Sequence, residues 1–188
     1  MIHVIDNAVP TALLDFIRIA AENKQTWHFK RPIADNVTFK DGRPRLDIMV
    51  GGEVFDEFLA GLAIGALISV HDRGGHVYFH PDILHCGISM KDSAREDNTH
   101  HEYIDEHDHH HDHDHHGHNI SNNVRVLFLL NTDWKEEWKG GVKYDTEVYN
   151  FKPGSAIIFD PRVPHSADQI IGDEKRLTLD FTVRKTTL

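Results

Sequence analysis

Arg176-Leu-Thr-Leu-Asp-Phe-Thr-Val-Arg184 alternates without a break. Successive side chains of a strand point to opposite sides, so Leu177, Leu179, Phe181 and Val183 share one face. Arg176, Thr178, Asp180 and Thr182 share the other. Upstream, Val124 to Asn131 is a continuous apolar run, as expected of a strand buried on both sides. Between these two lie a Gly140-Gly141 turn, a strand over Val142 to Tyr149, and a tight turn at Lys152-Pro153-Gly154-Ser155. That turn leads into a strand over Ala156 to Phe159, followed by a loop from Asp160 to Pro164. Short strands at this spacing predict a β-sandwich or jelly roll.

The first hundred residues add helices. Thr11 is placed to cap a helix running through Asn23, with Leu13, Leu14, Ile17, Ala20 and Ala21 on one face. Phe55, Phe58, Leu59, Leu62 and Ala66 predict a second helix from Val54 to about Ser69. Short strands are expected at Val37 to Phe39, Leu46 to Val50 and Ile83 to Met90, with a polar turn from Lys91 to Asn98. The expected fold is mainly β with flanking helices, a double-stranded β-helix. It reads as a single domain over 1–188 with a His/Asp-rich insertion at about 103–119.

Composition bounds the function. The chain has 188 residues, 39% hydrophobic and 27% charged, enough for one closed core. Its net charge of −10 argues against unspecific binding to nucleic acid or anionic lipid. From Asp92 to His118 nine acids face one base, Arg95, so this segment carries −8 and the remainder −2. The lone Cys86 excludes an internal disulfide and reads as a small buried hydrophobe. The start, Met1-Ile-His-Val-Ile-Asp, does not read as a signal peptide, and the apolar run Phe58 to Val70 is too short to span a bilayer. A cytoplasmic protein with no membrane or nucleic-acid partner is expected.

Seventeen histidines are present, ten of them between His100 and His118. Imidazole and carboxylate together suit Zn, Fe, Ni and Mn. One such arrangement has two His and one carboxylate on one face of the metal, with three positions open. On a strand the first two ligands come as His-x-Asp or His-x-Glu, since residues i and i+2 point the same way. Both His100-His101-Glu102 and His110-His111-Asp112 satisfy that rule.

The order of motifs in the C-terminal half narrows the chemistry. Leu129-Leu-Asn131-Thr-Asp-Trp134 is followed by Gly140-Gly141, then Phe151-Lys-Pro-Gly-Ser-Ala-Ile-Ile-Phe159, then Pro164-His165, and Arg176 eleven residues later. This order resembles the prolyl-4-hydroxylase-like branch of the Fe(II)/2-oxoglutarate-dependent dioxygenases over about Val124 to Arg184. The resemblance implies that His165 is the distal iron ligand and that Arg176 pairs with the C5 carboxylate of 2-oxoglutarate, a role suited to a guanidinium fork. It implies His100 and Glu102 as the proximal pair, which precede His165 by a family-like 65 residues. His110 and Asp112 remain the alternative.

The activity so implied is hydroxylation of a peptide or small-molecule C–H bond by O2, with release of succinate and CO2. Its cofactors would be Fe(II) and 2-oxoglutarate, with ascorbate as an auxiliary reductant. The competing reading is a non-catalytic, His-rich jelly roll that buffers Zn or Ni. Arg176 separates the two, because a metal buffer has no need of a base opposite the distal ligand.

Overall fold

The structure, a computed structural model, describes residues 1–24, 27, 31–34, 37–39, 44–93 and 122–186. The chain runs β1 (Ile2–Ile5), α1 (Thr11–Glu22), β2 (Arg31–Ala34), β3 (Val37–Phe39), β4 (Arg45–Val50), β5 (Glu53–Val54) and α2 (Glu57–Asp72). It continues through β6 (Phe79–Lys91), β7 (Asn123–Leu129), β8 (Val142–Tyr144), β9 (Glu147–Tyr149), β10 (Ala156–Phe159), β11 (His165–Ala167) and β12 (Arg176–Lys185).

Among the described residues the large sheet has the order β1-β10-β7-β12-β6-β4-β5, and a small sheet has the order β11-β8-β9. β2 and β3 form a separate hairpin. All pairings are antiparallel, as a jelly roll requires. The alternation in β12 is used on both sides. Leu177, Leu179, Phe181 and Val183 join Phe128, Ile88, Ile48 and the inner faces of α1 and α2 in the main apolar core. The opposite, concave face looks toward the small sheet. There Leu129, Ile157 and Phe159 of the large sheet share a second apolar cluster with Val142 and Tyr144 of the small one. With both faces covered, every residue from Arg176 to Val183 is buried.

Both helices lie close to their expected places. Leu14, Ile17 and Ala21 turn the buried stripe of α1 inward. Thr11 does not cap this helix. It is the first helical residue, behind Pro10, whose fixed φ suits the helix entrance and which offers no side-chain acceptor. α2 begins three residues later than its periodicity suggests, because Glu53–Val54 pairs back onto β4 through the Gly51-Gly52 turn. Its cap is Asp56, whose carboxylate accepts from Leu59 N at 2.9 Å and meets Lys24 Nζ at 2.8 Å. Ala60, Ala63 and Ala66 let the helix lie close on the sheet. Val142 to Tyr149, expected as one strand, is a hairpin that turns at Asp145 with φ 56°. Cys86 is fully buried, as expected.

Burial alone would raise the Asp56 carboxyl, but the Leu59 and Phe58 amides and Lys24 outweigh it and hold it below the ordinary value. Asp56→Ala is expected to cost about 1 kcal/mol, lowering the melting temperature by about 2–4 °C. A lowered pKa stabilises the fold at neutral pH, and that contribution disappears as pH falls through it. Melting curves of the two proteins should therefore converge in acid, and a gap that persists there would contradict the capping role.

Candidate active site

His165 opens β11, where its Cα pairs with Tyr144 of β8. The ring is buried at 7% exposure, and its centroid lies 4.9 Å from that of Phe159. Nδ1 lies 2.7 Å from Val163 O. A carbonyl can only accept, so Nδ1 carries the proton and Nε2 is the lone-pair nitrogen. That is the tautomer a metal-ligating imidazole needs, with its second nitrogen held by a backbone carbonyl. Beside it the Tyr144 hydroxyl donates to Met1 O at 2.9 Å. Burial and the charge of Asp160 push its pKa up to about 12. The phenol therefore stays protonated at neutral pH and is no base for this site.

Arg176 opens β12 and is 5% exposed, which rules out a surface strand arginine. Nη1 donates to Gly140 O, and the guanidinium stands 5.6 Å from the centroid of the Phe151 ring. The glycine pair is needed for space. A Cβ on Gly141 would fall 2.2 Å from Tyr149 O, and one on Gly140 would fall 2.8 Å from Ile170. Arg176 stands against Phe151 and His165 against Phe159, and both rings belong to one apolar cluster.

Two other residues of the quoted motif order hold this corner. Asn131 brackets Arg176: its Oδ1 accepts from Leu177 N at 2.7 Å and its Nδ2 donates to Lys175 O at 3.0 Å. Trp134 Nε1 donates to Lys139 O at 2.8 Å, fixing the residue before the glycine pair. Asn131 thus sets the strand that carries the guanidinium, and Trp134 sets the carbonyl it meets. The neighbouring bases do not compete, since Lys175 and Arg184 are both exposed.

The concave face holds more charge than the motifs suggest. Arg45 reaches from β4 across β6 to Asp180 of β12, meeting its two oxygens at 2.7 and 3.0 Å. It also donates to Asp47 at 2.7 Å and to Ser89 at 2.9 Å. A Cβ on Gly87 would lie 2.4 Å from Arg45 Nη2, so the row Asp47–Gly87–Asp180 leaves the guanidinium its path. Burial opposes the charge on Arg45, yet Asp180 and Asp47 outweigh it and raise its pKa. Arg125 lies 3.9 Å from Asp180, and buried Lys91 pairs across the sheet with Arg176. Sequence reasoning put Asp180 on the face of Arg176 but missed Arg45 and Lys91. The signal was the matching alternation of Arg45, Asp47, Ser89 and Lys91 in their own strands.

Removing one partner of a buried ion pair leaves the other uncompensated, at about 3–5 kcal/mol. Asp180→Ala should therefore lower the melting temperature by roughly 10 °C. A shift of less than about 2 °C in thermal unfolding would mean that Arg45 does not depend on Asp180.

His100 and Glu102, like His110 and Asp112, lie outside the described residues. Among the described residues no group of three or more His, Cys, Asp or Glu could hold a metal ion. His165 is the expected ligand that the structure describes.

Solved structures carry this architecture. A Pseudomonas putida prolyl-4-hydroxylase aligns over 97% of this chain and 92% of its own at a TM-score of 0.60, with 15% identity. The viral collagen prolyl hydroxylase of Paramecium Bursaria Chlorella virus-1 aligns over 99% and 90% at 0.59, with 13% identity. HygX from Streptomyces hygroscopicus, solved with nickel, 2-oxoglutarate and hygromycin B, aligns over 98% and 83% at 0.63, with 13% identity. The fold is that of the 2-oxoglutarate-dependent oxygenases. No known family profile and no curated protein sequence matches the chain. At 13–15% identity these likenesses are ones of fold.

Proposed function

We propose that this protein is an Fe(II)- and 2-oxoglutarate-dependent dioxygenase that hydroxylates a C–H bond of a peptide or small molecule. The observation that carries the reading is the pair His165 and Arg176, both buried and each beside a ring of one apolar cluster.

The residues present fit both groups. His165 offers Nε2 to a metal because Val163 O holds its Nδ1 proton. Two residues along β12 from Arg176, on the same face, Thr178 Oγ1 is buried and has no hydrogen-bond partner among the described residues. A dicarboxylate anchored on the Arg176 fork would supply that partner.

The other candidate ligands, His100, Glu102, His110 and Asp112, fall in the sequence between β6 and β7, outside the described residues. Gln169, four residues past His165, donates to Ser93 O at 2.6 Å, which holds Ser93 beside β11.

When bound, iron supplies the oxidation of a C–H bond by O2, coupled to conversion of 2-oxoglutarate to succinate and CO2. The protein's own share is positioning. Arg176 and Thr178 orient the dicarboxylate, Val163 O keeps the His165 lone pair turned to the metal, and the Phe151–Phe159 lining keeps water out. Ascorbate fits as an external reductant. No described helix is long and apolar enough to cross a membrane. The second reading, a Zn or Ni buffer, gives no account of the Thr178 hydroxyl, which has no partner among the described residues.

The test is anaerobic titration of the Fe(II)-loaded protein with 2-oxoglutarate, followed by its weak visible charge-transfer band. Wild type should develop the band and produce succinate on exposure to air. His165→Ala should do neither while keeping its circular dichroism, because a ligand at a loop–strand junction adds little to the core. A variant that produces near wild-type succinate would dismiss the assignment.

A further inference from the structure

Helix α2 is apolar on every side. From Phe58 to Val70 it holds no charged residue, and Ser69 is its one polar side chain. Leu59, Ala60, Ala63, Ala66, Leu67 and Val70 are buried. The outer side carries Phe58, Gly61, Gly65 and Ile68, all exposed. A helix of this composition is ordinarily covered all round, and this one is covered on its inner side only. Phe16 of α1 meets Phe58, with ring centroids 6.2 Å apart, so the two helices present one surface. Phe16, Ile19, Phe55, Phe58 and Ile68 are 45% to 60% exposed. At about 200 Å² for a whole phenylalanine and a little less for an isoleucine, they leave about 500 Å² of apolar area in water. A standard interface removes about 800 Å² from each partner, and homodimer interfaces are about 65% apolar, which again is about 500 Å².

The middle of this surface is bare backbone. A Cβ on Gly61 would meet nothing within 4 Å, and one on Gly65 would meet only Leu13 at 4.0 Å. Glycine weakens a helix interior relative to alanine, and no described neighbour uses the space. The space suits the close approach of a helix from outside the chain. A second α2 crossing there antiparallel sets Gly61 against Gly65 of the other copy and Phe58 against its Ile68. The surface thus complements itself, as a two-fold contact requires. The same crossing places each helix N-terminus beside the other's C-terminus, which the helix dipoles favour.

Charge argues against a lipid surface as the occupant. Arg18 is held by Asp15 and Glu22 at 3.7 and 3.6 Å, and Lys24 by Asp56 at 2.8 Å. With Glu53 and Glu57 exposed beside Phe55 and Phe58, the border lacks the basic face by which anionic lipid holds an amphipathic helix. The helices lie across the main core from the concave face, so a copy docked on them leaves the candidate active site open.

We propose that the outer face of α1 and α2 is the contact of a homodimer, in which the α2 helices of two copies cross at Gly61 and Gly65. This contact does not depend on the dioxygenase reading.

The test is sedimentation velocity of the full chain at micromolar concentration, with circular dichroism as the control for folding. Wild type should sediment as two chains. Phe58→Asp, which puts a charge on the contact at an exposed position, should sediment as one. Ile68→Lys reports the same loss from the other end of α2 should Phe58→Asp fail to fold. Gly61→Leu is the sharper variant, since it adds apolar area and helix propensity yet fills the crossing. It should weaken association tenfold or more with the dichroism unchanged. Monomeric wild type overturns the proposal, and its flotation with phosphatidylglycerol vesicles would give the face to a lipid surface instead. A dimer that survives Phe58→Asp and Ile68→Lys uses another face and overturns it equally. Association of Gly61→Leu as tight as that of wild type, beside a monomeric Phe58→Asp, would mean unspecific apolar adhesion and overturn the crossing.

Discussion

Arg176→Ala is expected to raise the 2-oxoglutarate concentration needed for half-saturation by about 10²- to 10³-fold, while Fe(II) binding changes much less. Removing one partner of a buried charge pair typically costs about 3–5 kcal/mol, the source of that range. The guanidinium is 5% exposed, so little water is at hand to replace it around the carboxylate. Arg176→Lys should recover only part of the loss, because an ammonium cannot meet Gly140 O and a carboxylate in the geometry of a planar fork. The measurement is titration of the charge-transfer band at fixed Fe(II). An unchanged co-substrate affinity would pass the role to Lys91, the buried base paired across the sheet, since Lys175 and Arg184 are exposed.

The C-terminal half was legible because its strands state their faces. In β12 a strict two-residue period separates a helix-facing apolar set from a polar set, and the structure buries the two on opposite sides. The long apolar run became β7 because both its faces are covered. Other elements were hidden for physical reasons. β1 and β11 are only four and three residues long and owe their existence to partners far along the chain, Phe159 and Tyr144 among them. No local period can announce such a pairing. Helix α1 offered a threonine at its start, but capping is a matter of where the backbone turns, and it turns at Pro10.

The order of motifs singled out His165 and Arg176 as candidate site residues, and the structure buries both. What Asn131, Trp134 and Gly140-Gly141 do could not be read from order. Their work is to bond or admit backbone brought together by the fold, at Leu177, Lys175, Lys139 and Tyr149. The Arg45–Asp180 pair was beyond reach for the same reason, since it links residues 135 positions apart.

The proximal ligands are decided by a pair of variants with opposite expected outcomes. Ser93 is held by Gln169 beside β11, and His100 follows it by seven residues, about 23 Å of extended chain, while His110 follows by seventeen. Chain length from Ser93 does not choose between them. If His100 and Glu102 are ligands, replacing residues 107–116 by a Gly/Ser linker of equal length should leave one tightly bound Fe(II) and coupled succinate formation in place. Only weak extra metal binding should disappear, because scattered imidazoles without fixed geometry hold divalent ions loosely. Glu102→Ala should then abolish both tight iron and succinate, since two neutral imidazoles without the carboxylate leave the ion's charge poorly compensated. If His110 and Asp112 are ligands, the outcomes exchange: the linker removes two of three protein ligands, and Glu102→Ala is mild. A linker variant without iron or succinate, beside a Glu102→Ala protein that keeps both, would overturn the assignment to His100 and Glu102 and move it ten residues on.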